Sequence, residues 1–305
     1  MLRTSKILST APAPTPHVTW RRREIEVAPA GKIVTFETGR DDPSSPALLL
    51  IHGLGHWTQG AWDHVAAQLA DTHRIVAFDL PGFGDSDKPD VRYDLDFFCG
   101  VTHAVVRTLG LQRYHLVGHS LGGMIAADYA GRHPGEIASL TLIDPAGFLR
   151  TPKIFVRILA GEPVARLFTL RPSHRFVRRL LLQAVRDPSA ISAETYQRAY
   201  KLAEDPRVCR AFLRVYSGAL RTFLDMPGFH AKLARYAGPA LLVWGRHDEY
   251  TPIRALNTAR KVYPHARTLV LDDCGHCPNV EAPTPIADVI RSMSTYPEQR
   301  AAGND

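Results

Sequence analysis

One serine in this chain carries the neighbours that nucleophilic chemistry needs. Gly118-His119-Ser120-Leu121-Gly122 has the form G-x-S-x-G and follows directly on the apolar run Tyr114 to Val117. A nucleophile at the tip of a sharp strand-to-helix turn needs small neighbours, because the backbone there is strained and the next helix packs close to its own strand. Gly118 and Gly122 supply that room, and Met124, Ile125, Ala126, Ala127, Tyr129 and Ala130 continue as a helix-compatible run to His133-Pro134. A serine hydroxyl is a weak nucleophile until a base takes its proton, so a histidine and an orienting carboxylate are expected downstream. Asp248 follows the strand-like Ala240 to Trp244, and His276 follows Thr268 to Leu271. Asp144, which closes the run Leu140 to Ile143, is the rival carboxylate. Pro145 follows it, and Asp248 stands 28 positions before His276. Asp79, Asp272 and Asp273 read as caps and turn formers.

These residues need a frame, and short apolar runs provide one. Strands are expected at Glu24 to Ala28, Lys32 to Glu37, Ala47 to Ile51, Arg74 to Phe78, Tyr114 to Val117, Leu140 to Ile143, Ala240 to Trp244 and Thr268 to Leu271. Alternation of such runs with helices predicts an α/β fold: a mostly parallel eight-stranded sheet with helices on both faces and its active residues at the carboxyl ends of strands. The first two strands are expected to form an antiparallel edge. From Phe148 to about Arg235 the alternation stops and helical spacing takes over, at Ile154, Ile158 and Leu159, at Phe176, Leu180 and Leu181, and at Val208, Phe212, Val215 and Tyr216. The expected organisation is a flexible segment over residues 1–22, a core of 23–147 and 236–305, and an inserted helical cap over 148–235.

Two further motifs fall in register with the first. His52-Gly53-Leu54-Gly55 follows the strand Ala47 to Ile51, and Asp79-Leu80-Pro81-Gly82-Phe83-Gly84-Asp85-Ser86 follows Arg74 to Phe78. With Ser120, Asp248 and His276 in that chain order, the sequence resembles the α/β-hydrolase fold superfamily, in its branch with a helical cap, over about residues 23 to 295. The resemblance implies Ser120 as nucleophile, His276 as base and Asp248 as its orienting acid. It implies an oxyanion hole made by the backbone N–H groups of Leu54 and Leu121, with His52 and His119 as structural or pocket-edge residues.

Within that superfamily the nucleophile prunes the reactions. Haloalkane dehalogenases and epoxide hydrolases attack with aspartate, so Ser120 argues against both. Acyl chemistry remains, and the expected function is hydrolysis of a small-molecule carboxylic ester or thioester through an acyl-enzyme. Carbon–carbon hydrolases of aromatic ring cleavage share the triad and cap, but they commonly carry Asn before the nucleophile and Trp after the histidine. His119 and Cys277 stand at those positions here. Perhydrolases with the same triad usually lack a large cap. Hormone receptors of this fold turn ligand over slowly, and neither Gly122-Gly123 nor a basic cap resembles them closely.

Composition sets the remaining bounds. With 305 residues, 45% hydrophobic and 22% charged, the chain can bury a large core. No apolar run approaches the roughly 20 residues of a bilayer span. Residues 150 to 221 hold 15 Lys/Arg against five Asp/Glu, a balance of +10 within a net +7, so the rest of the chain carries −3. A basic cap over an entrance can attract an anionic substrate, an acidic carrier protein or an anionic membrane surface, and basic helix faces can also be simply solvated. No nucleic-acid motif accompanies the charge. The segment before Glu24, the first acidic residue, is basic with several Ala, Ser and Pro, a composition also found in organelle-targeting leaders, but it has no apolar h-region and reads as a frayed terminus. Of the four cysteines, Cys274 and Cys277 spell Cys-Gly-His-Cys, a redox-enzyme tetrapeptide that here falls in a loop after the last core strand. It reads as coincidence. No cofactor and no metal is expected, since four tetrahedral zinc ligands do not cluster locally, and the low cysteine count fits a cytoplasmic protein.

Overall fold

The structure is a computed structural model that describes residues 18–42, 47–149 and 172–302. Its centre is an eight-stranded sheet: β1 (Arg21–Val27), β2 (Gly31–Gly39), β3 (Ala47–Ile51), β4 (Arg74–Phe78), β5 (Tyr114–His119), β6 (Ile137–Ile143), β7 (Ala240–Gly245) and β8 (Arg267–Leu271). The spatial order is β1-β2-β4-β3-β5-β6-β7-β8. β1 pairs antiparallel with β2 and β2 antiparallel with β4, and every other neighbouring pair is parallel. β3, β5, β6 and β7 are buried along their whole length, as continuous Val/Ile/Leu runs covered on both faces must be. β1 is exposed and charged, with Arg21, Arg22, Arg23 and Glu24 blunting the open edge. It begins at Arg21, inside the segment expected to be flexible, and Trp20 before it donates to Asp63 at 2.7 Å.

Successive side chains of a strand point to opposite faces, and this divides the core in two. Leu48, Leu50, Ile75, Ala77 and Val117 pack beneath helices α1 (Thr58–Leu69) and α10 (Pro283–Ala302), against Trp62, Val65, Ile286 and Ile290. Leu49, Ile51, Val76, Phe78 and Leu116 face α2 (Leu95–Thr108) and α3 (Leu121–Arg132) on the other side.

Between β6 and β7 the described chain holds α4 (His174–Ala184), α5 (Ala193–Ala203), α6 (Pro206–Leu224) and α7 (Met226–Leu233). The helical pattern at Ile154, Ile158 and Leu159 lies outside the described residues. Ser173 and Ser192 cap α4 and α5 by accepting from the N–H groups of Phe176 and Thr195. α7 joins the layer that flanks the sheet, packing on α3 with Leu233 fully buried. α6 lies over the loops at the carboxyl ends of β3 and β4. Phe212 sits against Gly55, and Gly218 presses on the backbone of Tyr93 with no room for a Cβ. Ion pairs join this insertion to the sheet domain, Arg198 to Asp85 at 2.6 Å and Arg214 to Asp90. After β7, α8 (Leu256–Val262) precedes β8, and a four-residue helix, α9 (Pro278–Glu281), precedes α10. No helix among the described residues is long and apolar enough to cross a membrane.

Candidate active site

Ser120 sits between β5 and α3 with φ +53° and ψ −116°, a backbone region that L-residues rarely occupy. The two glycines of its motif make the turn possible. A Cβ on Gly118 would strike the backbone of Gly122, and a Cβ on Gly122 would strike the carbonyls of Ile51 and His52. The turn is tied down by the Ser120 N–H, which donates to the Ile143 carbonyl at 2.9 Å, and by the Ser120 carbonyl, which accepts from the N–H of Met124 and of Ala146.

The loops after β7 and β8 bring the other two predicted side chains to this turn. Ser120 Oγ lies 2.8 Å from His276 Nε2, and His276 Nδ1 lies 2.8 Å from Asp248 Oδ2. Asp248 and His276 are both buried. Asp248 Oδ1 accepts from the N–H of Tyr250 at 2.7 Å and of Thr251 at 2.9 Å, while Thr251 Oγ1 donates to Oδ2 at 2.6 Å. Burial alone would raise the Asp248 carboxyl, but the hydrogen bond and charge of His276, with the hydroxyl of Thr251, hold it well below the usual carboxylate range. Asp144 lies behind Asp248 at the end of β6, fully buried, and accepts from the Gly245 N–H at 3.0 Å.

The glycine loop after β3 completes the floor. Gly53 packs against His119 and Ser120 so closely that a Cβ would stand 3.1 Å from that of Ser120. Among the described residues, neither the N–H of Leu54 nor that of Leu121, the first residue of α3, has a hydrogen-bond acceptor. His52 fixes the loop from below: its Nδ1 donates to the Gly53 carbonyl at 2.8 Å, and its Nε2 accepts from the Leu80 N–H at 2.9 Å. Burial pushes His52 down to about 4, so both bonds are made by the neutral ring. His119 Nε2 donates to the His276 carbonyl at 2.7 Å. Asp79 accepts from Thr58 and Asp85 N–H groups at 2.7 and 2.8 Å, binding the turn after β4 to the start of α1.

Sequence reasoning missed three contributors. Thr251 holds Asp248, Tyr250 lies tilted with its ring centroid 5.2 Å from that of His276 and donates its hydroxyl to the Leu180 carbonyl, and Glu281 clamps the His276 loop. Glu281 accepts from the Gly275 N–H at 2.8 Å and from the Arg186 N–H at 2.5 Å, so one carboxylate ties that loop to the insertion. The only sequence signal was Thr251 three residues after the acid, a spacing that serine and threonine share in many ordinary turns.

Cys274 and Cys277 are free, buried thiols on either side of His276. Burial, then the charge of Glu281, pushes Cys274 up to about 12 and Cys277 well above its ordinary value. Redox cysteines need the opposite shift. Replacing both with Ser is expected to leave most hydrolytic activity, measured as kcat/KM on an aryl ester. Disulfide-isomerase activity in the wild type that vanished in this variant would restore the redox reading.

Two sets of side chains among the described residues could approach a metal ion. Asp144, Asp248 and His276 form one, His103, His133 and Glu136 the other. In the first, His276 is already bonded to Asp248. In the second, the rings of His103 and His133 stack 14° apart, and His103 Nδ1 already lies 3.1 Å from the Tyr129 hydroxyl.

The chain belongs to the α/β-hydrolase fold family, whose sequence model matches residues 46–283. Lipase 1 of Psychrobacter immobilis is 28% identical over 282 residues, which span 90% of this chain and 84% of that protein. The 2-hydroxymuconate semialdehyde hydrolase of Pseudomonas sp. strain CF600 is 27% identical over 249 residues, 80% of this chain and 84% of its own length. Among solved structures, a membrane phospholipase A described as a novel bacterial virulence factor matches with a TM-score of 0.74 at 29% identity, covering 90% of this chain and 85% of that one.

Proposed function

We propose that the protein is a serine hydrolase that cleaves a carboxylic ester or thioester through an acyl-enzyme. The observation that carries this reading is the unbroken chain of contacts from Ser120 Oγ to His276 to Asp248, on a serine held at positive φ. His276 Nε2 takes the Ser120 proton as Oγ attacks the carbonyl carbon. Asp248 accepts from Nδ1–H, fixing the tautomer and stabilising the imidazolium that forms. The oxyanion is received by the N–H groups of Leu54 and Leu121, the second of which also lies at the positive end of a 12-residue helix. The proton then passes from His276 to the leaving alcohol or thiol, and water repeats the sequence on the acyl-enzyme. The lipase relatedness supports an ester substrate.

The helices between β6 and β7 act as the cap, and their free charge gives it a preference for anionic substrates. Arg175, Arg178 and Arg179 line a cavity of about 520 Å³ with Leu182, Gln183 and Glu249, beside the acid of the triad. None of the three has an ion-pair partner among the described residues, whereas Arg198, Arg207 and Arg214 are all paired. For an anionic ester, kcat/KM is expected to fall with rising salt, and a neutral short-chain ester should respond much less. Replacing the three arginines with Glu should imitate high salt on the anionic ester and leave kcat nearly unchanged. Equal salt curves for both esters, with the triple variant unchanged on each, would return these arginines to solvated helix surface.

The function itself is tested by fluorophosphonate labelling of Ser120, followed by a panel of esters and thioesters of graded chain length. A ring-fission diketone in the same panel distinguishes carbon–carbon hydrolysis. Absence of label at Ser120 would remove the hydrolase reading.

A further inference from the structure

Asp144 is an expensive residue to place where it is. It is completely buried, and its backbone sits at φ +42°, a conformation disfavoured for any residue with a Cβ. It is nevertheless firmly held. Its own N–H donates to the Val243 carbonyl at 3.0 Å, and two residues on, the Ala146 N–H donates to the carbonyl of Ser120 at 3.0 Å. Pro145 between them fills the space beside Gly123, where a Cβ would come within 2.9 Å. The turn after β6 is thus wedged between the nucleophile's turn and the loop of Asp248. Ligand atoms of Asp144, Asp248 and His276 all lie within 4.8 Å of one another.

Two carboxylates this close and this deeply buried repel each other, and the repulsion is relieved when one of them holds a proton. The hydrogen bonds decide which. Asp248 accepts four: from two backbone N–H groups, the Thr251 hydroxyl and His276 Nδ1. Asp144 accepts from one donor, the Gly245 N–H, shared at 3.0 and 3.3 Å between its two oxygens. No Lys or Arg among the described residues pairs with either carboxylate. The other titratable groups that act on Asp144 or are acted on by it are Glu281, an acid, and the neutral thiols of Cys274 and Cys277. Four donors can compensate a buried negative charge and one cannot.

We propose that Asp144 is held as a neutral carboxylic acid whose O–H donates to the Asp248 carboxylate, making it the positioning residue behind the group that orients His276. The proposal rests on the triad reading given above. Burial first, and then the charge of Asp248, displaces the Asp144 carboxyl well above the ordinary range, in the direction this arrangement requires. The consequence is a site that carries one negative charge behind the histidine and no more. Asp248 keeps its orientation from below as well as from Thr251.

The test is the pH profile of kcat/KM on a neutral aryl ester for wild type, Asp144→Asn and Asp144→Ala, with circular dichroism to verify folding. Asn replaces a neutral donor with a neutral donor. Its acidic limb should therefore stay at the wild-type pH, with a loss of about threefold to tenfold for the poorer hydrogen bond. Ala removes the donor and should lose a further tenfold or so, which the Asn variant rescues. If Asp144 were ionised, Asn would delete a charge beside the base and move the acidic limb down by about one pH unit, which would overturn the proposal. Infrared difference spectra give a second measurement if the Ala variant fails to fold. A protonated carboxyl band present in wild type and absent in Asp144→Asn supports the proposal, and its absence from wild type overturns it. Failure of the triad reading looks different, because Ser120 would then escape fluorophosphonate in the wild type itself.

Discussion

Ser120→Ala is expected to lose ester hydrolysis by about 10⁴ to 10⁶ in rate while keeping the fold. Among the described residues the hydroxyl bonds only to His276, so its removal breaks no other hydrogen bond there. The backbone bonds of the turn, to Ile143, Met124 and Ala146, are made by main-chain atoms that alanine retains. Alanine at φ +53° is as strained as serine, and the melting temperature should move by only a few degrees. His276→Ala should cost a comparable factor, because in the proposed mechanism nucleophile and base work as one unit and removing either should leave the same residual catalysis. Single-turnover assays with an aryl ester, on proteins matched by circular dichroism, measure both. A Ser120→Ala protein that retained more than about a hundredth of the activity would show that another nucleophile carries the reaction.

The fold was legible because its strands are short apolar runs separated by turn chemistry, and burial on both faces demands such runs. The errors were at the ends. β5 continues through Gly118 to His119 and β6 starts at Ile137, because hydrogen-bonded extension does not need apolar side chains. The serine motif was legible for a steric reason that the structure makes concrete: Gly118 and Gly122 face backbone atoms where no Cβ fits. Thr251 and Glu281 were not, because each acts on a residue brought near by the folding of a different loop, and a hydroxyl or carboxylate in a turn carries no label for that. The basic insertion was legible as a sum and illegible in its parts. Arg198 and Arg214 reach acids on the sheet domain, while Arg175, Arg178 and Arg179 share one helix and one cavity. Net charge could not separate the arginines that fasten the insertion from those that line the cavity.

Asp248→Asn is expected to lower turnover by about 10³ to 10⁴, less than loss of the nucleophile and for a different reason. An amide at that position can present its NH₂ to His276 Nδ1, which favours the tautomer with its proton on Nε2, the atom that must accept from Ser120. The backbone donors at Tyr250 and Thr251 can still reach the amide oxygen, so the loop should keep its shape. Stability has a separate signature, whose sign follows from the direction of each carboxyl. Asp248 is displaced downward in the folded protein. Its contribution is therefore fully present above the unfolded carboxylate value near pH 4 and is lost as pH falls through the folded value. Asp144 is displaced upward, so its contribution is present below about pH 4 and declines as pH rises toward its folded value. Urea unfolding measured across this range should show Asp248→Asn losing less stability than wild type on acidification, and Asp144→Asn losing less on the return to neutrality. An Asp248→Asn protein with near-normal turnover, beside an inactive Asp144→Asn, would instead move the orienting carboxylate to the end of β6.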